Sequence, residues 1–298
     1  MQHPISLDGI IAVPPTPFTD DNQVDVESLR RYVRKALDAG VVGFLAPAEA
    51  GEVETLTPVE RDLIVTAILE ETKGTVPLIG GATDANPRTC LEHARRYIGL
   101  GCAGVLAYVA YQDDACYAEQ VQALDRLNPG FLMIQDLDRG AAPLPVALIA
   151  RLHRSCPRFT WIKVETNDRC AKISAIREAT GGTLQIGTAG PDLIELLDRG
   201  VQSYLPSLYH DVYAGIWSLY RGGRRADAIA LCNQLLPCLV FAASHKAINH
   251  HTKKIVLETE GVFATRRIRA PQRLPDPVEA RLIDELCRYS ISLSNSRR

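Results

Sequence analysis

The stretch FTWIKVET, residues 159–166, carries a lysine and a glutamate two positions apart inside an apolar run. Aromatic and β-branched residues around them mark the run as a strand. Strand side chains alternate in direction, so Trp161, Lys163 and Glu165 share one face and Ile162 and Val164 the other. A lysine amine attacks a carbonyl only when neutral. With a pKa near 10.4, about one in 2,500 is neutral at pH 7. Burial in a low-dielectric interior lowers the pKa of such an amine and makes it a nucleophile. The product with a ketone is a Schiff base, whose iminium draws electrons and acidifies the neighbouring carbon. Glu165, on the same face, is placed to move that proton. A structural Lys–Glu pair or a surface strand would present the same two residues, so the position of the strand in the fold has to decide.

That position follows from how the chain alternates. Strand-like runs recur at residues 9–14, 41–46, 76–81, 103–109, 131–136, 159–165, 184–187 and 201–206. Amphipathic helical patterns lie between them at 26–40, 58–74, 87–101, 145–156, 171–182 and 192–200. Several end in a glycine that a left-handed cap requires, with the next strand starting at once, as at Gly40, Gly101 and Gly200. Eight strands alternating with helices predict a parallel (β/α)₈ TIM barrel, an α/β fold. A doubly wound open sheet is the alternative, but no G-x-G-x-x-G follows the first strand. After residue 207 the pattern is helical, over roughly 209–221, 223–242, 245–260 and 276–291. We therefore expect a barrel over 1–208 and a C-terminal helical region, 209–298, packed on it. In such a barrel the apolar face of FTWIKVET packs on the outer helices. Lys163 and Glu165 then point inward near the strand's C-terminal end, where barrel enzymes keep their chemistry.

Bulk properties exclude several functions. The chain has 298 residues, with 46% hydrophobic and 23% charged, values ordinary for a globular enzyme. A net charge of −2 leaves no electrostatic footprint for nucleic acid. No apolar run approaches the ~20 residues of a membrane span, and MQHPISLDGI lacks the features of a signal peptide. The eight cysteines are scattered singly, which implies reduced thiols in a cytoplasmic protein. No metal-ligand spacing occurs, and the neighbouring His250 and His251 do not make one. We expect no cofactor beyond a covalent Schiff base on Lys163.

Several segments resemble the dihydrodipicolinate synthase / N-acetylneuraminate lyase family. VPPTPFTDDNQVD resembles its T-P-F…D-x-x-V-D start, and GFLAPAEAGEVETLTPVER its G-T-T-G-E loop followed by L-T-x-x-E-R. IKVET lies where that family has I-K-E, and the resemblance is collinear over roughly residues 8–290. It implies a barrel with C-terminal helices, a homotetramer (dimer of dimers), and chemistry on a small-molecule 2-keto acid or sugar acid held on Lys163. It also implies substrate contacts at Ala50, Gly51 and Glu52, at Thr16, at Tyr111 and at Arg139. At the barrel rim, Thr188 and Ser207 join this set, with Thr83 beside them.

The departures narrow the reading. Where the family has Y-N-x-P, this chain has Ile134-Gln135-Asp136-Leu137, and a glutamine amide is neither acid nor base. The family's paired hydroxyl residues are here Glu49 and Ala50. M-I-Q-D together with K-x-E-T is closer to the 2-keto-3-deoxy-L-arabonate dehydratases and related sugar-acid dehydratases. There the glutamate replaces tyrosine as proton carrier. Glu165 would take a proton from C3 and deliver one to the C4 hydroxyl, its pKa raised by burial and lowered by the iminium. Gln135 would orient a hydroxyl or a water, while Asp136 points away. The resemblance thus implies a Schiff-base hydro-lyase. A pyruvate-dependent aldolase or condensing enzyme is the second reading, and a non-catalytic ligand-binding paralogue the third.

Overall fold

The computed structural model describes residues 7–84, 86–138 and 142–295. Arg139 lies outside the described residues. Eight parallel strands close into a barrel in sequence order: β1 Gly9–Ala12, β2 Gly43–Ala46, β3 Leu78–Gly81, β4 Gly104–Tyr108, β5 Leu132–Leu137, β6 Phe159–Glu165, β7 Gln185–Thr188 and β8 Ser203–Tyr204. Each lies within or one residue beyond the expected run. β8 is the most shortened, and at its C-terminal end Pro206 has no N–H to extend the ladder. Its carbonyl still accepts from Val13 N at 2.9 Å.

Helices α1 Val26–Asp38, α2 Pro58–Thr72 and α3 Pro87–Leu100 follow the first three strands. Their starts are written in the sequence. Asp25 caps α1, Thr57 and Glu60 form a reciprocal capping box on α2, and Asn86 caps α3. Gly40, Gly101 and Gly200 adopt the positive φ expected of them. α4, Asp114–Asp125, was not among the expected helices. It buries Tyr117, Val121 and Leu124, and its other positions are mostly polar. α5 Val146–Ser155, α6 Arg169–Ala179 and α7 Leu193–Asp198 complete the outer ring.

The strands sort their side chains as alternation requires. Ile10, Phe44, Val105, Ile134, Ile162 and Val164 pack outward in one large cluster with the helices. Ile11, Leu45, Ile79, Leu106, Met133, Trp161 and Leu205 form a separate cluster that fills the lumen. Burying each such side chain stabilises the fold by about 1.5–3 kcal/mol.

Beyond β8 the chain forms α8 His210–Arg221, α9 Arg225–Ser244, α10 Asn249–Thr259 and α11 Pro277–Asn295. α9 revises the reading of apolar runs: by length and composition it is long and apolar enough to cross a membrane. It packs on α8 and α11 and buries Ala228, Cys232, Leu235, Cys238 and Phe241. α10 is tied to the barrel. Lys254 Nζ donates to the carbonyls of Thr16 (2.5 Å) and Arg267 (2.8 Å) and pairs with Glu52 Oε1 at 2.9 Å.

Candidate active site

β6 ends at the barrel mouth with Lys163 and Glu165 on its lumen face. In register, Lys163 stands opposite Gln135 of β5 and Gly187 of β7. Lys163 and Gln135 are both buried, each 7% exposed. Lys163 Nζ lies 2.8 Å from Glu165 Oε2, and Gln135 Nε2 donates to the same oxygen at 2.6 Å. One carboxylate oxygen therefore receives both the amine and the amide. The three expected catalytic residues meet, although Gln135 comes from a different strand.

The charge state of Glu165 differs from simple burial. Burial pushes its carboxyl up, but the Lys163 ammonium, the hydrogen bonds from Lys163 and Gln135, and Arg169 together hold it below the ordinary 4.5. In the free protein at neutral pH it is a carboxylate, ready to accept a proton.

Asp136 points outward, as alternation requires. It is buried, paired with Lys172 of α6 at 2.5 Å, and accepts from Leu144 N at 3.1 Å. That pair fixes the end of β5 from behind.

The rim residues divide into those near the lumen and those turned to structural work. Ala50 packs partly against the lumen cluster. Gly51 and Glu52 lie in a tight turn whose N–H groups bond to the carbonyls of Ala48 and Glu49 at 2.8 and 3.0 Å. Thr16 donates its hydroxyl to Gly51 O at 2.6 Å. A Cβ at Gly51 would lie 2.9 Å from both Pro14 O and Thr16 Oγ1, so the close contact requires glycine. Glu52 holds the left-handed conformation, φ 59°, and its side chain is fully buried. Its Oε2 accepts from Arg269 N and Ala270 N at 2.7 and 2.6 Å. These contacts make Thr16 and Glu52 supports of the loop.

Thr188 is also a support. Its buried hydroxyl donates to Val164 O at 2.6 Å and braces the end of β6. Thr83 accepts from Tyr108 N at 3.1 Å. The Ser207 carbonyl accepts from Tyr32 Oη at 2.8 Å. Tyr111 donates to Asp114 Oδ1 at 2.8 Å and shares a small cleft with Gln135. A larger cavity of about 580 Å³ opens between the ends of β5 and β6 and α6, lined by Leu144, Thr166, Asn167 and Lys172 among others. Gln135, Lys163 and Glu165 do not line it.

Two residues at the site carry no motif. Ser203 stands in register with Gly187, and its fully buried hydroxyl has no hydrogen-bond partner among the described residues. A Cβ at Gly187 would come within 3.2 Å of Ser203 Oγ and 2.8 Å of Leu205 Cδ1, so these two close the lumen on that side. Lys253 of α10 is the other. Its ammonium is held in the field of Glu49, Glu52, Lys163 and Glu165. Only strand register locates the first, and only the packing of α10 locates the second.

Comparison with known proteins bears on the family and the fold. The chain is 27% identical over 273 residues to L-2-keto-3-deoxyarabonate dehydratase of Azospirillum brasilense, covering 88% of each chain. It is 26% identical over 276 residues to a Methylobacterium radiotolerans protein named "Probable 5-dehydro-4-deoxyglucarate dehydratase", covering 90% of this chain and 88% of that one. Among solved structures, the fold matches dihydrodipicolinate synthase from Rhodopseudomonas palustris with a TM-score of 0.88 at 20% identity, covering 95% of this chain and 97% of that one. The model of the dihydrodipicolinate synthetase family matches residues 6–280, nearly the whole barrel and most of the helical region after it, and the chain belongs to that family.

Proposed function

We propose that this chain is a lyase that forms a Schiff base through Lys163 and removes water from a 2-keto-3-deoxy sugar acid. The observation that carries this reading is the shared oxygen of Glu165, 2.8 Å from the Lys163 amine and 2.6 Å from the Gln135 amide. The neutral Lys163 amine attacks C2 of the keto acid, and the carbonyl oxygen leaves as water. The resulting iminium acidifies C3. Glu165, ionised in the free protein, takes a C3 proton and leaves an enamine. The electron pair of the enamine then expels the C4 hydroxyl, to which Glu165 returns a proton, so water departs and a conjugated iminium remains. Hydrolysis frees the amine and releases the dehydrated keto acid.

Gln135 serves by position, holding Glu165 or a substrate hydroxyl without exchanging protons. Among the rim residues, Ala50 and Tyr111 lie nearest to lumen and cleft, and we assign substrate contact to them. Thr16, Gly51, Glu52 and Thr188 hold the loops that form the wall. Both relatives cited carry names of sugar-acid dehydratases, which supports hydro-lyase over aldolase chemistry. The covalent lysine adduct then needs no added cofactor. We place the enzyme in the cytoplasm as a homotetramer, with residues 1–208 and 209–298 acting as one unit.

Borohydride trapping tests the reaction. The protein is incubated with 2-keto-3-deoxy-L-arabonate or with pyruvate, reduced, and read by peptide mass spectrometry. A dehydrated adduct on Lys163, with no pyruvate released in turnover, is the expected result. Pyruvate release with no dehydration would replace the hydro-lyase by an aldolase. A folded protein with no adduct at all would overturn the Schiff base.

A further inference from the structure

The 580 Å³ cavity lies on the opposite side of β5 and β6 from the lumen. Alternation along β6 turns Glu165 inward. The next side chain, Thr166, shares the outward direction of Ile162 and Val164 and lines the cavity. On β5, Gln135 faces the lumen, and Asp136 faces outward to Lys172, which also lines the cavity. The apolar part of the lining comes from Leu144, Pro145 and Val146 at the start of α5 and from Ala171 and Ala175 of α6. Sites for small organic ligands run to about 300–1,000 Å³, and this volume falls within that range.

Two oxygens of this lining have unmet hydrogen-bonding capacity. Thr166 is 3% exposed, and its hydroxyl has no hydrogen-bond partner among the described residues. Asp138 uses Oδ2 to accept from Asn167 N at 2.7 Å, which ties the chain after β5 to the chain after β6. Its Oδ1 is shielded from solvent and has no partner among the described residues. A buried polar atom without a partner is uncommon and marks a place where a ligand can supply one. The lining charges set the sign of that ligand. Lys172 is already paired with Asp136, 2.5 Å away, and offers no free cation. Asp138 and Asp168 line the cavity with no ion pair to either among the described residues.

We propose that this cavity binds a small organic ammonium ion. The nitrogen donates to Asp138 Oδ1 and Thr166 Oγ1, and the hydrocarbon part rests on Leu144, Pro145 and Val146. An ammonium carries three donors and no acceptor, which suits two open acceptors beside carboxylates. A charge-assisted contact of this kind is among the stronger hydrogen bonds available to a binding site. An alcohol of the same shape would meet the oxygens without meeting the charge. A carboxylate ligand would face Asp138 and Asp168 with its own charge. Gln135, Lys163 and Glu165 do not line the cavity, so the proposal stands apart from the Schiff-base reading.

The test titrates the full chain with three probes of one shape: cyclohexylmethylammonium, cyclohexylmethanol and cyclohexanecarboxylate. Binding is read by saturation-transfer NMR of the probe, with melting temperatures measured alongside. The ammonium should bind saturably to wild type, and the alcohol and the carboxylate about tenfold more weakly or less. Asp138→Asn and Thr166→Val should each raise the Kd of the ammonium, by about tenfold for Asp138→Asn. Ala175→Leu fills the cavity from α6 and leaves both oxygens in place; it should weaken binding as well. This variant carries the test if Asp138→Asn fails to fold. Glu165→Gln should bind the ammonium as wild type does. Equal binding of all three probes would reduce the site to an apolar groove and overturn the proposal. Loss in Glu165→Gln with none in Asp138→Asn would put the ammonium in the lumen and also overturn it. So would the absence of saturable binding to folded wild type.

Discussion

Two lysine–glutamate pairs lie in the same part of this barrel, and their distances are almost equal: 2.8 Å for Lys163–Glu165 and 2.9 Å for Lys254–Glu52. Their surroundings are opposite. The Lys254 pair is closed, with both side chains fully buried. Its ammonium also donates to two carbonyls, and the second oxygen of Glu52 accepts two backbone N–H groups. The Lys163 pair is open, with side chains 9% and 21% exposed and one amide as its further partner. A buried ion pair whose hydrogen-bonding capacity is filled has nothing left to offer a substrate, and removing one partner strands a charge. The same chemistry at a barrel mouth, with capacity left over, is what the proposed nucleophile and base require.

The comparison is most directly broken by exchanging the fates of the two lysines. Lys163→Met should lower kcat/KM by about four orders of magnitude or more and abolish trapping, because the proposed covalent step runs through the Lys163 amine. Thermal melting should change less than for Lys254→Met, since Glu165 keeps the Gln135 amide and some contact with solvent. Lys254→Met should do the reverse. It should cost about 3–5 kcal/mol of stability in urea unfolding, because Glu52 is left buried and unpaired. Trapping by the molecules still folded should persist. If Lys254→Met instead left stability intact and removed trapping, the division between closed and open pairs would be wrong.

Glu165→Gln sharpens the open pair. It should reduce kcat by roughly a hundredfold or more while leaving borohydride trapping in place, because attack needs Lys163 and proton transfer needs the carboxyl. Equal loss of both would make Glu165 only a support for the lysine.

Much of the barrel was legible because its signals are local. Strand runs, caps such as Asp25 and Thr57, and glycine stops such as Gly101 are determined within a few residues. α4 was missed because its few buried residues leave a mostly polar surface. Alternation along β6 correctly separated Lys163 and Glu165 from Ile162 and Val164, and along β5 it turned Asp136 away from Gln135. The rim residues were harder. Thr16, Glu52 and Thr188 sit where substrate contacts were expected, but their hydrogen bonds run to Gly51, to the 269–270 backbone and to Val164. A hydroxyl or carboxyl near a strand end looks the same in sequence whether it meets a ligand or a carbonyl.

The sequence by itself determined the eight-fold alternation, the inward face of β6 and the Lys163–Glu165 pair, because strand periodicity and capping act over short spans of chain. Only the tertiary structure decided that Gln135 donates to the very oxygen that holds Lys163, that Ser203 lies buried in register beside the site, and that α10 seals Glu52 with Lys254. Those relations depend on barrel register and helix docking, which bring together residues far apart in the chain. Burial and electrostatics at such junctions are properties of the assembled fold and are not carried by any one segment.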